Sequence, residues 1–248
     1  MCIRDRFNAN WSEILLMFNA QSFGTTDPQF GLDNGFYVFV LPGLKLVLAA
    51  VAMLLGVGLV FSVVTHVLMG GIRITMPVNG RGLFSITKRC RRQLGIWLML
   101  NMFAWAVRQM IGVFDQLTVQ GSRITGASYT AVHANIPVTF IMAVLTAILG
   151  VVLGIWLMRS HTLEGQASIG VRASAALKAW RVPVTSIAVV VVVGLVLTVA
   201  WPVLLQRFRV NPNAQEMEST YIQRNIDATR AAYGLSLIHI SEPTRPEP

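Results

Sequence analysis

Charge is scarce in this sequence. Only 12% of its 248 residues are Asp, Glu, Lys or Arg, about half the usual share of roughly 25%. A globular surface needs more charge than that, whereas a lipid-facing surface needs almost none. Acids are scarcer than bases: 11 Asp and Glu stand against 20 Lys and Arg, for a formal net charge of +9. A basic balance raises nucleic acid as a partner. Here, however, the bases cluster between apolar runs, in Arg81 to Arg92 and Arg159 to Arg181. Membrane flanks facing anionic lipid have that distribution, so no nucleic-acid partner is expected.

Cysteine is nearly absent. Cys2 and Cys90 make neither a disulfide framework nor a metal-ligand spacing. Cys90 lies among Lys88, Arg89, Arg91 and Arg92, cations that favour a thiolate, yet it reads as a loop cysteine without a role. His66, His133 and His161 fall in three different segments, which gives no zinc-ligand spacing. The nucleophile elbow, the P-loop and the dinucleotide fingerprint are all missing. Asn79-Gly80-Arg81-Gly82 follows no strand and reads as a turn. No catalytic residue, cofactor or metal is assigned, and the sequence leans away from an enzyme. No secretory signal opens the chain.

Apolar residues are what the chain has in quantity, 54% of the total, with a mean hydropathy of +0.60. They gather in four runs, Leu46 to Leu68, Leu94 to Phe114, Ile136 to Met158 and Ile187 to Leu205. A hydrocarbon core about 30 Å thick needs roughly 20 helical residues, and backbone amides in lipid must bond internally. The runs therefore predict an all-α, polytopic membrane protein with spans at about 44–68, 94–114, 136–158 and 185–205. The β-branched stretch Val189 to Val193 favours strands in water, but the run around it is too long for one. Pro202 near its end fits a helix terminus or a kink.

Orientation follows from Lys and Arg in the short loops. Segments 70–93 and 159–185 carry most of them, 115–135 carries Arg123 alone, and 7–43 carries none. The first two are expected in the cytoplasm. Residues 7–43, an interfacial segment, 115–135 and everything after Leu205 are expected outside. Segment 206–235 is polar and reads as the start of an exported soluble domain. Segments 1–6 and 236–248 resemble translated sequencing adapters and are set aside.

Three stretches carry a family resemblance. They are Phe18-Asn-Ala-Gln-Ser-Phe-Gly-Thr-Thr-Asp-Pro-Gln-Phe-Gly-Leu-Asp-Asn-Gly-Phe-Tyr-Val-Phe-Val-Leu-Pro42, Gly126-Ala-Ser-Tyr-Thr-Ala-Val-His-Ala-Asn-Ile-Pro137, and the polar stretch Val210 to Leu235. Together they resemble the UPF0182 family, large actinobacterial-type membrane proteins of uncharacterised function, over about residues 7–235. Ala131, Ala214 and Thr220 depart from its usual pattern. The resemblance implies a protein several times longer, with roughly seven spans and then a large soluble part. It supplies architecture and no reaction.

Candidate functional residues are few. Asn101 and Arg108 fall on one face of the second run, and Asp115 follows seven residues later. Ionisable residues inside a membrane mark transport paths often enough to make this stripe a possible intramembrane polar site, although Arg108 is also placed to snorkel. Gly150 and Gly154 form a Gly-x-x-x-Gly that, with Ala143 and Ala147, suits close helix packing within the chain. Asp27 and Asp33 are six apart, as two ligands of a hard cation could be, but Asp-Pro and Asp-Asn-Gly are turn formers. Their aromatic neighbours suit an interfacial belt. Expected partners are the lipid bilayer and other helices of the full-length protein; the sequence identifies no envelope partner. The favoured function is an envelope membrane protein anchoring an extracytoplasmic domain, with a transporter or channel component as the alternative.

Overall fold

The computed structural model describes residues 3–74, 84–118, 126–160 and 169–234. Helices dominate. In chain order they are α1 (Ile3–Phe18), α2 (Leu41–Leu68), α3 (Lys88–Gly112), α4 (Ile136–Arg159), α5 (Ile169–Leu195), α6 (Trp201–Leu205) and α7 (Ala214–Ala232). Strands β1 (Ile72–Ile74) and β2 (Phe84–Ile86) pair antiparallel, with Ile72 opposite Ile86. That three-residue ladder and the first turn of α3 occupy part of the segment read above as a cytoplasmic loop.

Among the described residues, four continuous helical stretches are long and apolar enough to cross a membrane: Phe36–Leu68, Lys88–Leu117, Ala131–Arg159 and Arg181–Val210. Each outruns its apolar run in the sequence, because helix geometry persists after hydrophobicity stops. α2 alone has 28 residues, ~42 Å at 1.5 Å per residue. Only Leu41, Gly43 and Ser62 of α2 are buried, so Leu54, Phe61 and Leu68 stand bare. In water such a face would be a liability.

The helices are not α-helical throughout. Wide π-turns cover Phe36–Val40, Ala131–Asn135, Val196–Ala200 and Gln206–Val210. Each ends two residues before a proline: Pro42, Pro137, Pro202 and Pro212. Proline has no N–H to give the carbonyl four residues back, and its ring crowds that carbonyl. The chain answers by widening one turn, so Leu41 donates to the Phe36 carbonyl, Ile136 to Ala131 and Asn211 to Gln206. Pro202 thus sits inside a helical stretch that continues to Val210, rather than at its end.

The chain divides into two compact units, 1–112 with 139–195 and 113–138 with 196–248. In the first, α2 and α3 run antiparallel. Gly58 leaves room for Trp97, whose nearest ring atom lies 2.6 Å from where a Cβ would stand, and His66 Nε2 meets Gln93 Oε1 at 3.0 Å. α4 turns a stripe of small buried residues inward, Ala143, Thr146, Gly150 and Gly154. Cys90 is a correction to the reading of a loop thiol: it is fully buried in the first turn of α3, packed with Ile72, Ile86 and Leu94. Apolar neighbours, not the flanking cations, fill its surroundings. Beside it, the buried Arg91 Nη1 donates to the Ser160 carbonyl just past the end of α4, where a cation suits the negative helix terminus.

In the second unit, Val113, Ala134 and Val210 are fully buried. α7 carries Glu216 in its first turn and Arg230 in its last, which matches the helix dipole at both ends. The i,i+4 pair Gln223–Asp227 is bonded at 2.9 Å. Ala214, Met217, Glu218, Tyr221, Ile222 and Asn225 are among its less exposed residues, a helical repeat of one packed face.

Candidate functional site

The polar residues of α3 are spent on neighbouring helices. Asn101 Nδ2 donates to the Leu55 carbonyl of α2 at 3.2 Å and to the Trp97 carbonyl of its own helix at 2.8 Å. Gln109 Nε2 donates to Thr146 Oγ1 of α4 at 3.3 Å, and Thr146 Oγ1 donates on to the Met142 carbonyl at 2.7 Å. Amide and hydroxyl groups used this way hold apolar helices together. Arg108 is exposed on α3. Asp115 lies in the 3-10 turn Val113–Leu117, within the second unit, and its carbonyl accepts from the Thr118 amide at 3.0 Å.

Gly150 and Gly154 face α3. A Cβ on Gly154 would stand 2.4 Å from Met99 Cγ and 3.0 Å from the Gly95 carbonyl oxygen; one on Gly150 would stand 2.4 Å from Met102 Cβ. Gly95 is reciprocal, its Cβ position lying 2.9 Å from the Gly154 carbonyl oxygen. The small residues therefore set the distance between α3 and α4.

The two acids before α2 are occupied by amides. Asp33 Oδ1 accepts from the Phe23 amide at 3.0 Å and the Gly35 amide at 2.7 Å. Its Oδ2 accepts from the Gly24 amide at 3.1 Å and from Ser22 Oγ at 2.5 Å. The Ser22 hydroxyl first, then the Phe23 and Gly35 amides, hold its pKa down at about 2. Asp27 Oδ2 accepts from the Gln29 and Phe30 amides and from the Tyr37 hydroxyl at 3.4 Å. These are turn-building bonds, with lone pairs directed at the chain's own N–H groups. Among the described residues no three His, Cys, Asp or Glu side chains gather as a metal site would need.

A cluster in the second unit was not singled out from sequence. Tyr129 stacks on His133, with centroids 4.1 Å apart, and meets the edge of Tyr221 at 6.2 Å. Arg224 lies 5.6 Å from the Tyr221 ring centroid, within cation–π range. Burial pushes the Tyr221 phenol above its ordinary pKa. Thr130 Oγ1 donates to Gln206 Oε1. Tyr129 and Tyr221 belong to the second and third of the three stretches that carry the resemblance, so the fold joins segments ninety residues apart. The available signal was spacing: Tyr129 and His133 are i,i+4, and Tyr221 and Arg224 are i,i+3, as helix neighbours are.

Comparison with known proteins matches residues 3–246 to the model of an uncharacterised protein family, UPF0182. A UPF0182 protein of Bifidobacterium longum is 99% identical over 230 residues, covering 93% of this chain and 22% of that protein. One from Bifidobacterium adolescentis is 78% identical over 233 residues, 94% of this chain and 22% of its own length. One from Corynebacterium glutamicum is 34% identical over 227 residues, 92% and 21% respectively. The chain thus spans about a fifth of the length of the curated relatives it matches. No solved structure matches.

Proposed function

Since the chain belongs to the UPF0182 family of uncharacterised proteins, we propose that it is part of an integral plasma-membrane protein of the cell envelope whose helices anchor a large extracytoplasmic domain. The observation that carries this reading is the order of the elements. Four helices long and apolar enough to cross a membrane are followed by α7, a polar helix. The bare apolar faces of α2 and α5 support lipid as their surroundings. The concentration of Lys and Arg in 70–93 and 159–185 supports four crossings, with α7 outside.

A paired topology reporter fused after Leu235 tests it, one half fluorescent only inside the cell and the other enzymatically active only outside. Activity of the outside reporter is the expected result. Fluorescence of the inside reporter removes the anchor reading, because it requires an odd number of crossings. A transporter or channel component is the second reading, and the exposed Arg108 on α3 favours it. Asn101, its partner in the polar stripe, is bonded to helix backbone, which supports packing and places anchoring first. Arg108→Ala separates the two, since only a transport role makes solute flux fall at unchanged protein level and insertion.

A further inference from the structure

α1 presents two opposed faces. Glu13, Ile14 and Met17 are half-buried, and Met17 and the Glu13 backbone are packed on Gly43 at the start of α2. A Cβ on Gly43 would stand 2.8 Å from Met17 Cβ and 3.0 Å from the Glu13 carbonyl oxygen. On the other side Trp11, Leu15 and Phe18 are 60%, 55% and 77% exposed. Their spacing of i, i+4 and i+7 puts them in one line along the helix.

We infer that α1 is an interfacial helix that lies in the outer headgroup region of the bilayer, with Trp11, Leu15 and Phe18 turned into the acyl boundary. The inference rests on the membrane reading above, which places residues 7–43 outside. Three observations select lipid as the occupant. Apolar side chains stay half exposed along the way to α2, Phe23 in the segment after α1 and Val38 in the π-turn Phe36–Val40, and α2 itself is largely bare. Ser12 is exposed about a quarter-turn from the stripe, and the polar turns on Asp27 and Asp33 follow it, so this stretch sits at headgroup depth and not in hydrocarbon. Aromatics stand at both ends of the line, as amphipathic rings do at membrane interfaces.

The test uses the whole chain in a Cys2→Ser background, reconstituted in phosphatidylethanolamine/phosphatidylglycerol vesicles. Cys90 is buried, and an unsubstituted control accounts for any labelling there. An environment-sensitive fluorophore is placed singly by Leu15→Cys, Phe18→Cys, Ser12→Cys or Leu54→Cys. Lipids carrying a nitroxide near the headgroup or near the chain end quench it. Quenching at 15 and 18 several-fold stronger than at 12, and stronger from the headgroup-proximal nitroxide, is the expected result. Leu54→Cys, in the middle of α2, then responds most to the chain-end nitroxide. Equal and weak quenching at 12, 15 and 18 with Leu54→Cys still quenched overturns the interfacial helix alone. Leu54→Cys unquenched by either lipid overturns the membrane reading and the interfacial helix with it.

Discussion

The side-chain amide of Asn101 donates to the main-chain carbonyl of Leu55, 3.2 Å away on the antiparallel helix α2. One turn back, Trp97 fills the space that Gly58 leaves open. One polar bond and one aromatic fit thus fix the register of α2 against α3. On an apolar helix an asparagine has few ways to satisfy its amide, and the carbonyls of Leu55 and Trp97 accept both of its bonds.

Asn101→Leu is expected to weaken the α2–α3 pair by about 0.6 kcal/mol, and by no more than ~1.7, the range for hydrogen bonds between membrane helices. Reversible unfolding in mixed micelles measures it. A variant as stable as the parent would mean that the amide finds equivalent partners in the unfolded state and does not hold the helices.

Gly154→Val is expected to cost more, because its side chain meets Met99 and the backbone of Gly95. Overpacking of this kind costs ~1–3 kcal/mol. Gly112→Ala is the matched control: a Cβ there has nothing within 4 Å, and a helical Gly→Ala change without a clash stabilises by ~0.4–1 kcal/mol. The same unfolding assay should give opposite signs for the two variants. Like signs would show that Gly154 is not a close contact.

Much of this architecture is legible in the sequence because lipid-length apolar runs have few alternative folds. Leu46 to Leu68 and Ile136 to Met158 both lie within helices at nearly the expected limits. The sequence is less informative where tertiary contacts decide. Asn101 and Arg108 share a face of α3, but only the placement of Leu55 shows that the Asn101 amide is used for packing. Cys90 sits among four cations in sequence and among aliphatic side chains in space. Tyr129 and Tyr221 meet through the path of the intervening helices, and local pattern carries no record of that. The prolines were visible. The π-turns before Pro42, Pro137, Pro202 and Pro212 were not, since a proline in a helix can also produce a kink or an end, and Pro183 sits inside α5 with no such turn before it.

Asp33 should make the turn before α2 acid-sensitive. Its carboxylate is bonded by Ser22, Phe23, Gly24 and Gly35, and its pKa is held at about 2, below the ordinary 3.8. A depressed folded pKa stabilises the turn above the unfolded value, and that contribution is lost as pH falls from about 4 through about 2. Carboxyl-carbon NMR of labelled protein should find Asp33 titrating near the lower end of this window. Asp33→Asn should remove the acid transition and leave the turn more open at neutral pH. Titration of Asp33 near 4 would mean that the amides do not hold the carboxylate.

Pro137 bears on the second unit through the π-turn Ala131–Asn135. The ring denies the carbonyl of His133 its usual donor four residues on, and Ile136 bonds back to Ala131 instead. Pro137→Ala restores the donor and removes the crowding, so the turn can tighten to an ordinary α-helix. Closing the one-residue insertion rotates everything before it by about 100° relative to α4, the angle of one helical residue. Tyr129 and Thr130 then turn away from Tyr221 and Gln206, their present partners. A disulfide between Thr130→Cys and Gln206→Cys, formed under mild oxidation, reports that pairing. Its yield should be high in the parent and fall several-fold with Pro137→Ala. Equal yields would mean that packing around Ala131 and Ala134, both buried, holds the wide turn without the proline.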